Sequence, residues 1–343
     1  MKKILLITLI VILGITTVKS QDFTSATGYL GFIIEKQKII AENMWAYVKA
    51  NAHTNSEKKV ERKKSDLIAT IDRAGSEIRL MPAFQGEVTL RDSMVKYLET
   101  SKKMLNGEFA EIELLEANAN TSYELMKIYL QKVSDANEKY AIKNEMISDQ
   151  INKFAEEHNI ELIKSSSELT ANLKISNIVY KYYNSIYLIY FRGYIEDSFI
   201  IDAINSGDTT AIKQRMDSLI IAYKYGEVDL KAIAGYNGDY SLKFACQKAL
   251  SHYQKVATIL LPKILDYYKA ENELNAEKKR FEAIPEKKRT QQDVDAYNFA
   301  ITKYNNSIKI YNETIKTLNT EIQNNSEQWN NAVDKFIDKN IPK

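Results

Sequence analysis

After Gln21 the apolar residues recur at helical spacing almost without interruption, and the residues able to break that pattern are confined to a few points. Only 11 glycines and 4 prolines serve 343 residues, too few for the hairpins and glycine-rich phosphate loops of β or α/β folds. The pattern predicts an all-α protein with helices over 26–52, 57–81, 89–106, 121–158, 174–205, 209–233, 241–283 and 290–338. The breaks have chemical causes: Pro82 with Gly86, Gly107, the polar stretch Asn159 to Ser167, Ser206-Gly207-Asp208, Gly235 to Gly238, and Pro285 in a basic loop. Pro262 lies inside a helical pattern and predicts a kink near Ile259, because proline lacks the N–H of the helical ladder.

A shift of 152 residues aligns 67–98 with 219–250 without a gap. Leu67, Ile68, Gly86, Leu90, Lys96 and Leu98 recur as Leu219, Ile220, Gly238, Leu242, Lys248 and Leu250. Conservative pairs fill the turn: Phe84 with Tyr236, Gln85 with Asn237, Glu87 with Asp239, Thr89 with Ser241, Arg91 with Lys243. Gly86 and Gly238 can take positive φ at a helix-to-helix corner begun by Pro82, and Phe84 and Tyr236 are placed to plug it. Thr89 or Glu87, like Ser241 or Asp239, can cap the next helix. The expected architecture is two tandem helical-bundle repeats, 21–165 and 166–343, the second extended by a long antiparallel hairpin over 241–338. Its last helix carries a seam of strict 3–4 spacing: Val294, Tyr297, Ile301, Tyr304, Ile308, Tyr311, Ile315, Leu318, Ile322. The short connection makes helix 241–283 the expected partner, through Val256, Leu260, Ile264, Tyr267, Leu274 and Phe281. A monomer follows, with an oligomer through 294–322 as the alternative.

Residues 1–20 combine Lys2 and Lys3, an apolar run from Ile4 to Val18, and Val18-Lys19-Ser20 before Gln21, the form of a cleaved secretory signal peptide. The apolar run, about 15 residues, is shorter than the roughly 20 of a spanning helix. Loss of Lys2, Lys3 and Lys19 leaves 44 basic residues against 45 acidic, a net −1, with no charge footprint for nucleic acid. Cys246 is the only cysteine, which excludes an internal disulfide framework, a multi-thiolate metal site and a lipid-anchor cysteine after the leader. The expectation is an exported, periplasmic or cell-surface protein, not a lipoprotein, with no stable membrane insertion.

Motifs for chemistry are scarce. His53, His158 and His252 are far apart and form no E-x-x-H or H-E-x-x-H, so no metal is expected; His158 with Glu161 straddles a helix end. No G-x-S-x-G, P-loop or G-x-G-x-x-G occurs, so neither catalytic nor cofactor-binding residues are assigned. Cys246 aligns with Met94 and is read as a core residue. The basic runs Lys58–Lys64 and Glu286–Arg289 adjoin acids and read as solvated faces. Tyrosine is unusual: of 22, Tyr180, Tyr183, Tyr187, Tyr190 and Tyr194 share one helix at 3–4 spacing. They form either a buried central helix, the favoured reading, or an aromatic surface for glycan stacking or membrane contact. Lys181, Asn184 and Arg192 make insertion of that helix costly, at about 2.5–3.5 kcal/mol per central charge.

Three segments carry a family resemblance: Tyr29-Leu30 with Ile34-Glu35-Lys36-Gln37-Lys38-Ile39-Ile40, then Met81-Pro82-Ala83-Phe84-Gln85-Gly86 with Leu90-Arg91-Asp92, and Phe154-Ala155-Glu156-Glu157-His158-Asn159-Ile160. Over about residues 28–163 the chain resembles the leptospiral-type family of exported helical surface proteins, common in Bacteroidota, for which no biochemical activity is established. The resemblance implies a bacterial envelope protein and no catalytic residues. With such an origin, Asp92-Ser93-Met94, Asp208-Thr209-Thr210 and Asp217-Ser218-Leu219 resemble short O-glycosylation sites. The expected function is non-enzymatic binding or scaffolding, with a protein or glycan partner at the envelope and no cofactor. The alternatives are a helical pore-forming or membrane-perturbing protein, and an enzyme or metal-binding protein built from distant residues.

Overall fold

The computed structural model describes residues 22–54, 56–108, 112, 114–115, 118–162 and 168–343; the leader over 1–20 and the repeat boundary at 165/166 lie outside them. The described residues are helical, with no strand beyond two isolated β-bridges. The main helices are α1 (Ala26–His53), α2 (Glu57–Arg79), α3 (Thr89–Lys103), α4 (Tyr123–Glu157), α5 (Glu168–Asn205), α6 (Thr209–Ala232), α7 (Ser241–Lys255), α8 (Leu261–Ala283) and α9 (Gln291–Asn340). Their starts are chemically marked. Ser25, Ser56 and Ser122 accept from Gly28, Lys59 and Leu125 backbone N–H groups, and Asp208 Oδ1 accepts from Thr210 and Ala211. Gly207, at φ 68°, and Asn159, at φ 53°, close α5 and α4 in the left-handed conformation that ends helices.

Two compact units divide the chain otherwise than the repeat does: one runs to Asn184 and adds Asp334–Lys343, the other is Ser185–Val333. The dividing points fall inside α5 and α9. In the first unit, Asn51 of α1 donates to the Tyr180 hydroxyl at 3.1 Å, and His53 meets Asp338 at 3.0 Å and the Pro342 carbonyl at 3.2 Å. Its core gathers Leu30, Ile33, Met44, Leu67, Ile78 and Met94. In the second unit the core gathers Phe191, Leu219, Leu242, Cys246, Leu250 and Ile264.

The duplication extends well beyond the aligned residues. α2, α3 and a π turn at Met104–Glu108 are followed, 152 residues on, by α6, α7 and a π turn at Val256–Leu260. The second π turn sits where Pro262 predicts a kink; there Leu261 N–H bonds Val256 O, five residues back. The first turn has Ala110 at the position equivalent to Pro262, so the π turn belongs to the repeat and proline exploits it. The corner is also shared. Phe84 and Glu87 exchange both backbone hydrogen bonds at 2.9 Å, as Tyr236 and Asp239 do at 3.0 and 2.8 Å. Gln85 and Gly86 have φ of 49° and 87°, Asn237 and Gly238 of 47° and 81°, so each corner is a two-residue turn of the I′ kind between helices. Arg91 Nη1 donates to Met81 O at 3.0 Å, and Lys243 Nζ donates to the equivalent Ile233 O.

Two details differ from expectation. α3 opens at Val88 with no side-chain cap, while in the second copy Asp239 Oδ1 accepts from Ser241 N at 2.8 Å. Phe84 plugs its corner against Tyr29, Phe154 and His158 at 5.3, 5.6 and 5.0 Å between ring centroids, but Tyr236 is only half-buried. Nothing lies within 4 Å of a Cβ built on Gly238, so Gly238→Val acts through backbone conformation alone. It is expected to cost about 1–2 kcal/mol in urea denaturation; an unchanged midpoint would refute the turn geometry.

The hairpin forms as the seam requires. Phe281 stacks on Tyr297 at 4.8 Å and the Tyr267 and Tyr311 rings lie 4.3 Å apart, so the seam has its partner helix within the chain. At its tip, Thr290 and Asp293 cap each other reciprocally, and Asp293 also binds Arg280 at 2.8 Å. These contacts lower the Asp293 carboxyl from 3.8 to about 2, with the Thr290 hydroxyl the leading cause. A carboxyl held low in the folded state contributes stability above its ordinary value and loses it as pH falls through the lower one. Amide protection at residues 284–295, taken relative to intrinsic exchange at each pH, is therefore expected to fall between about pH 4 and pH 2, and Asp293→Asn should abolish that step.

Candidate functional site

Two features of the second unit stand out from its packing. The first is the outer face of its corner. On α6, Ile221, Tyr225 and Val228 project on one side at helical spacing, and on the other helix of the same corner Tyr240 and Phe244 are exposed at the start of α7, their rings 6.3 Å apart. All five are between 49% and 65% exposed. The Arg192 guanidinium lies 5.9 Å from the Tyr225 ring centroid. The equivalent positions of the first copy are Ala69, Arg73, Ser76, Val88 and Asp92. Three of the five positions are thus polar in the first copy, where the second has aliphatic or aromatic residues.

The second feature is a polar cluster inside the unit. His252 of α7 and Asp197 of α5 are both buried, with Nε2 3.2 and 3.1 Å from the two carboxylate oxygens. Burial pushes the Asp197 carboxyl up, and His252 and the neighbouring Asn325 amide hold back part of that rise. On the far side of the imidazole, Glu321 of α9 lies 3.9 Å from Nδ1 and is bound by Lys255 at 2.9 Å. Among the described residues His252 Nδ1 makes no hydrogen bond, and Glu321 is the charged group that faces it. Trp329, one turn beyond Asn325, anchors this stretch of α9 by stacking on Tyr190 at 4.1 Å with planes 6° apart. Two cavities flank the cluster. One of about 580 Å³ is lined by Tyr194, Asp197, Asp202, Ser326 and Glu327, the other of about 260 Å³ by Lys248, His252, Lys255, Glu321 and Asn325. The pair orients the imidazole and can hold or move a proton. Ser251, a rim hydroxyl, is committed to the Gln247 carbonyl at 3.1 Å.

The three histidines sit at separate places rather than in one pocket: His53 against Asp338, His158 in the Phe84 and Phe154 cluster, and His252 on Asp197. Among the described residues no three His, Cys, Asp or Glu side chains are grouped to hold a metal. The tyrosine stripe is not an aromatic surface. Tyr180, Tyr183, Tyr187 and Tyr190 are buried, because neighbouring helices cover the faces their spacing generates, and Tyr194 lines a cavity wall. Among the described residues no helix is long and apolar enough to cross a membrane. Cys246 is buried where Met94 is buried, and burial pushes its thiol up to about 12. Comparisons of the chain with known protein families, with curated proteins and with solved structures find no match.

Proposed function

We propose that the chain is an exported, non-enzymatic helical protein of the bacterial cell envelope that binds a partner protein through the outer face of its second corner. The observation that carries the reading is the exposure of five apolar residues on the two helices of one corner, Ile221, Tyr225, Val228, Tyr240 and Phe244, where the first copy has Arg73, Ser76 and Asp92 at three of the equivalent positions. Exposed aliphatic and aromatic residues gathered on one face are the signature of a protein interaction site. Branched aliphatic side chains favour a protein over a glycan, which would call for a lone aromatic platform among amides and carboxylates. Export rests on the leader-like residues 1–20 and on the family resemblance, and the non-enzymatic reading on a sequence without nucleophile or cofactor motifs.

A photo-crosslinking residue at position 244, in cells of the source bacterium that are then fractionated, is expected to yield one discrete adduct in the envelope fraction. The same residue at position 92 should yield none. Protease treatment of intact cells places the complex, since digestion means the surface, whereas protection until the outer membrane is opened means the periplasm. Recovery of the protein in the cytosol, or equal labelling from both positions, would refute the proposal. Tyr225→Ser with Val228→Ser, in the chain that carries the crosslinking residue at 244, should remove the adduct while changing stability by no more than about 0.5 kcal/mol, as surface substitutions do. A larger loss on urea denaturation would mean that the face is structural.

A further inference from the structure

The His252 imidazole is buried between two carboxylates that belong to different helices. Asp197 of α5 meets Nε2 at 3.2 and 3.1 Å, and Glu321 of α9 faces Nδ1 at 3.9 Å. A neutral imidazole carries one N–H and one lone pair, and an ionised carboxylate can only accept. The contact of both Asp197 oxygens with Nε2 puts the single hydrogen there, so Nδ1 turns its lone pair towards Glu321, acceptor against acceptor. Buried polar atoms normally find partners, and this opposition is why a residue only 6% exposed keeps a ring nitrogen without a hydrogen bond.

One proton changes the count. An imidazolium donates from both nitrogens, and Glu321 is already aimed to receive the second hydrogen. Lys255 Nζ holds its Oε1 at 2.9 Å, while Oε2 is the atom turned to the ring. Closing the 3.9 Å gap by about 1 Å gives a charge-assisted hydrogen bond of ordinary length without releasing Lys255. The other neighbours do not compete. The Tyr253 hydroxyl donates to the Tyr190 carbonyl, and Lys248, on the wall of the adjoining cavity, is exposed to solvent. α6 meets α7 with Gly226 against Leu250, and among the described residues it brings no carboxylate within 4 Å of the ring. We infer that His252 is a proton-operated clasp, in which protonation of Nδ1 draws the Glu321 carboxylate onto the ring and fastens α9 to α7 and α5. The sign follows from linkage. A folded state that offers the imidazolium two carboxylates favours the protonated ring, so the clasp contributes fully below about pH 6.5, where a free imidazole is charged, and its contribution is lost as pH rises beyond the imidazole range.

Histidine-labelled ¹⁵N spectra of the leaderless chain, with urea denaturation, test this at pH 8 and pH 5. At pH 8 the His252 ring is expected to carry its one hydrogen on Nε2. At pH 5 both nitrogens should carry hydrogen, with a slowly exchanging signal from Nδ1–H. Glu321→Gln keeps the shape of the side chain and removes its charge, so the ring should need about tenfold more acid to reach the same protonation. Between pH 8 and pH 5 the folding equilibrium constant of the wild type should gain about tenfold over the gain of Glu321→Gln. His53 and His158 are common to both chains, so their titration cancels in that difference. A ring still neutral at pH 5 would mean that burial outweighs the two carboxylates, and would overturn the inference. So would a hydrogen found on Nδ1 at pH 8, or equal proton uptake by Glu321→Gln and the wild type. Should Glu321→Gln fail to fold, the two wild-type spectra still decide. None of these readouts involves the corner face, so the two proposals fail independently.

Discussion

Trp329→Ala is expected to destabilise the protein by about 4 kcal/mol and to lower its melting temperature by on the order of 10 °C. The indole is 2% exposed and among the largest side chains fully buried in the structure. It lies flat on Tyr190 at 4.1 Å and within 6.5 Å of Tyr187. Truncation to alanine removes its transfer free energy and leaves a cavity between two long helices, a combination worth about 3–5 kcal/mol, of which the stack supplies about 0.5–1.5. Trp329→Phe keeps a ring against Tyr190 and should recover about half. The effect has a local signature. Asn325 is one turn away on the same face of α9, so loosening that turn should shift the His252 ring resonances in histidine-labelled ¹⁵N spectra. The only other tryptophan, Trp45 in α1, is half-exposed and serves as internal control, Trp45→Ala costing less than about 1.5 kcal/mol. A loss below about 1 kcal/mol for Trp329→Ala would show that the indole is not packed as described.

Most of the fold is legible in the pattern of apolar residues, because a chain so poor in glycine and proline has few ways to end a helix. The starts at Ala26, Glu57, Thr89, Thr209 and Ser241 follow from serine and aspartate caps or from the corner turns, and the hairpin seam from its 3–4 spacing. The Asn237-Gly238 pair also carried an unread message. Asn-Gly is the strongest signal of a two-residue I′ turn, but between helices rather than strands it does not draw attention to Asn237, whose own φ is positive. The π turns were invisible apart from Pro262, since hydrogen-bond register leaves little trace in composition. The polar cluster had a signal that histidine spacing could not supply. Asp197 continues the register of Tyr187, Tyr190 and Tyr194, and Asn325 follows Leu318 and Ile322 before Trp329. A carboxylate and an amide therefore stand in stripes that are otherwise buried, and buried polar residues need partners. That His252 is the partner depends on helix packing across 55 residues of sequence, which periodicity does not encode. The apolar corner face could be read from the repeat itself, by asking which aligned pairs change character instead of which agree.

Gly193→Ala sets two effects of opposite sign against each other. Gly193 lies within α5, where alanine is the better helix former by about 1 kcal/mol, so propensity alone predicts stabilisation. A Cβ built there would stand 2.3, 2.4 and 2.6 Å from Tyr253 ring atoms, well inside contact distance. The ring has no room to swing away, being fully buried with its hydroxyl donating to the Tyr190 carbonyl at 3.0 Å. α5 and α7 must therefore separate, and overpacking of this kind costs about 1–3 kcal/mol, more where the neighbour is pinned. The clash outweighs propensity, and the expected result is a net loss of about 2 kcal/mol. The consequence reaches the polar cluster, because His252 precedes Tyr253 directly and Asp197 lies one turn beyond Gly193. Moving the helices apart should lengthen the Asp197 to His252 contact and shift the imidazole resonances, without any change at a residue of the pair. The Tyr253→Ala background separates cause from coincidence. With the ring gone, Gly193→Ala has only its helix propensity left and should become neutral or stabilising by up to about 1 kcal/mol, a reversal of sign readable from a double-mutant cycle in urea. Equal destabilisation in both backgrounds would show that something other than the Tyr253 ring sets the distance between α5 and α7.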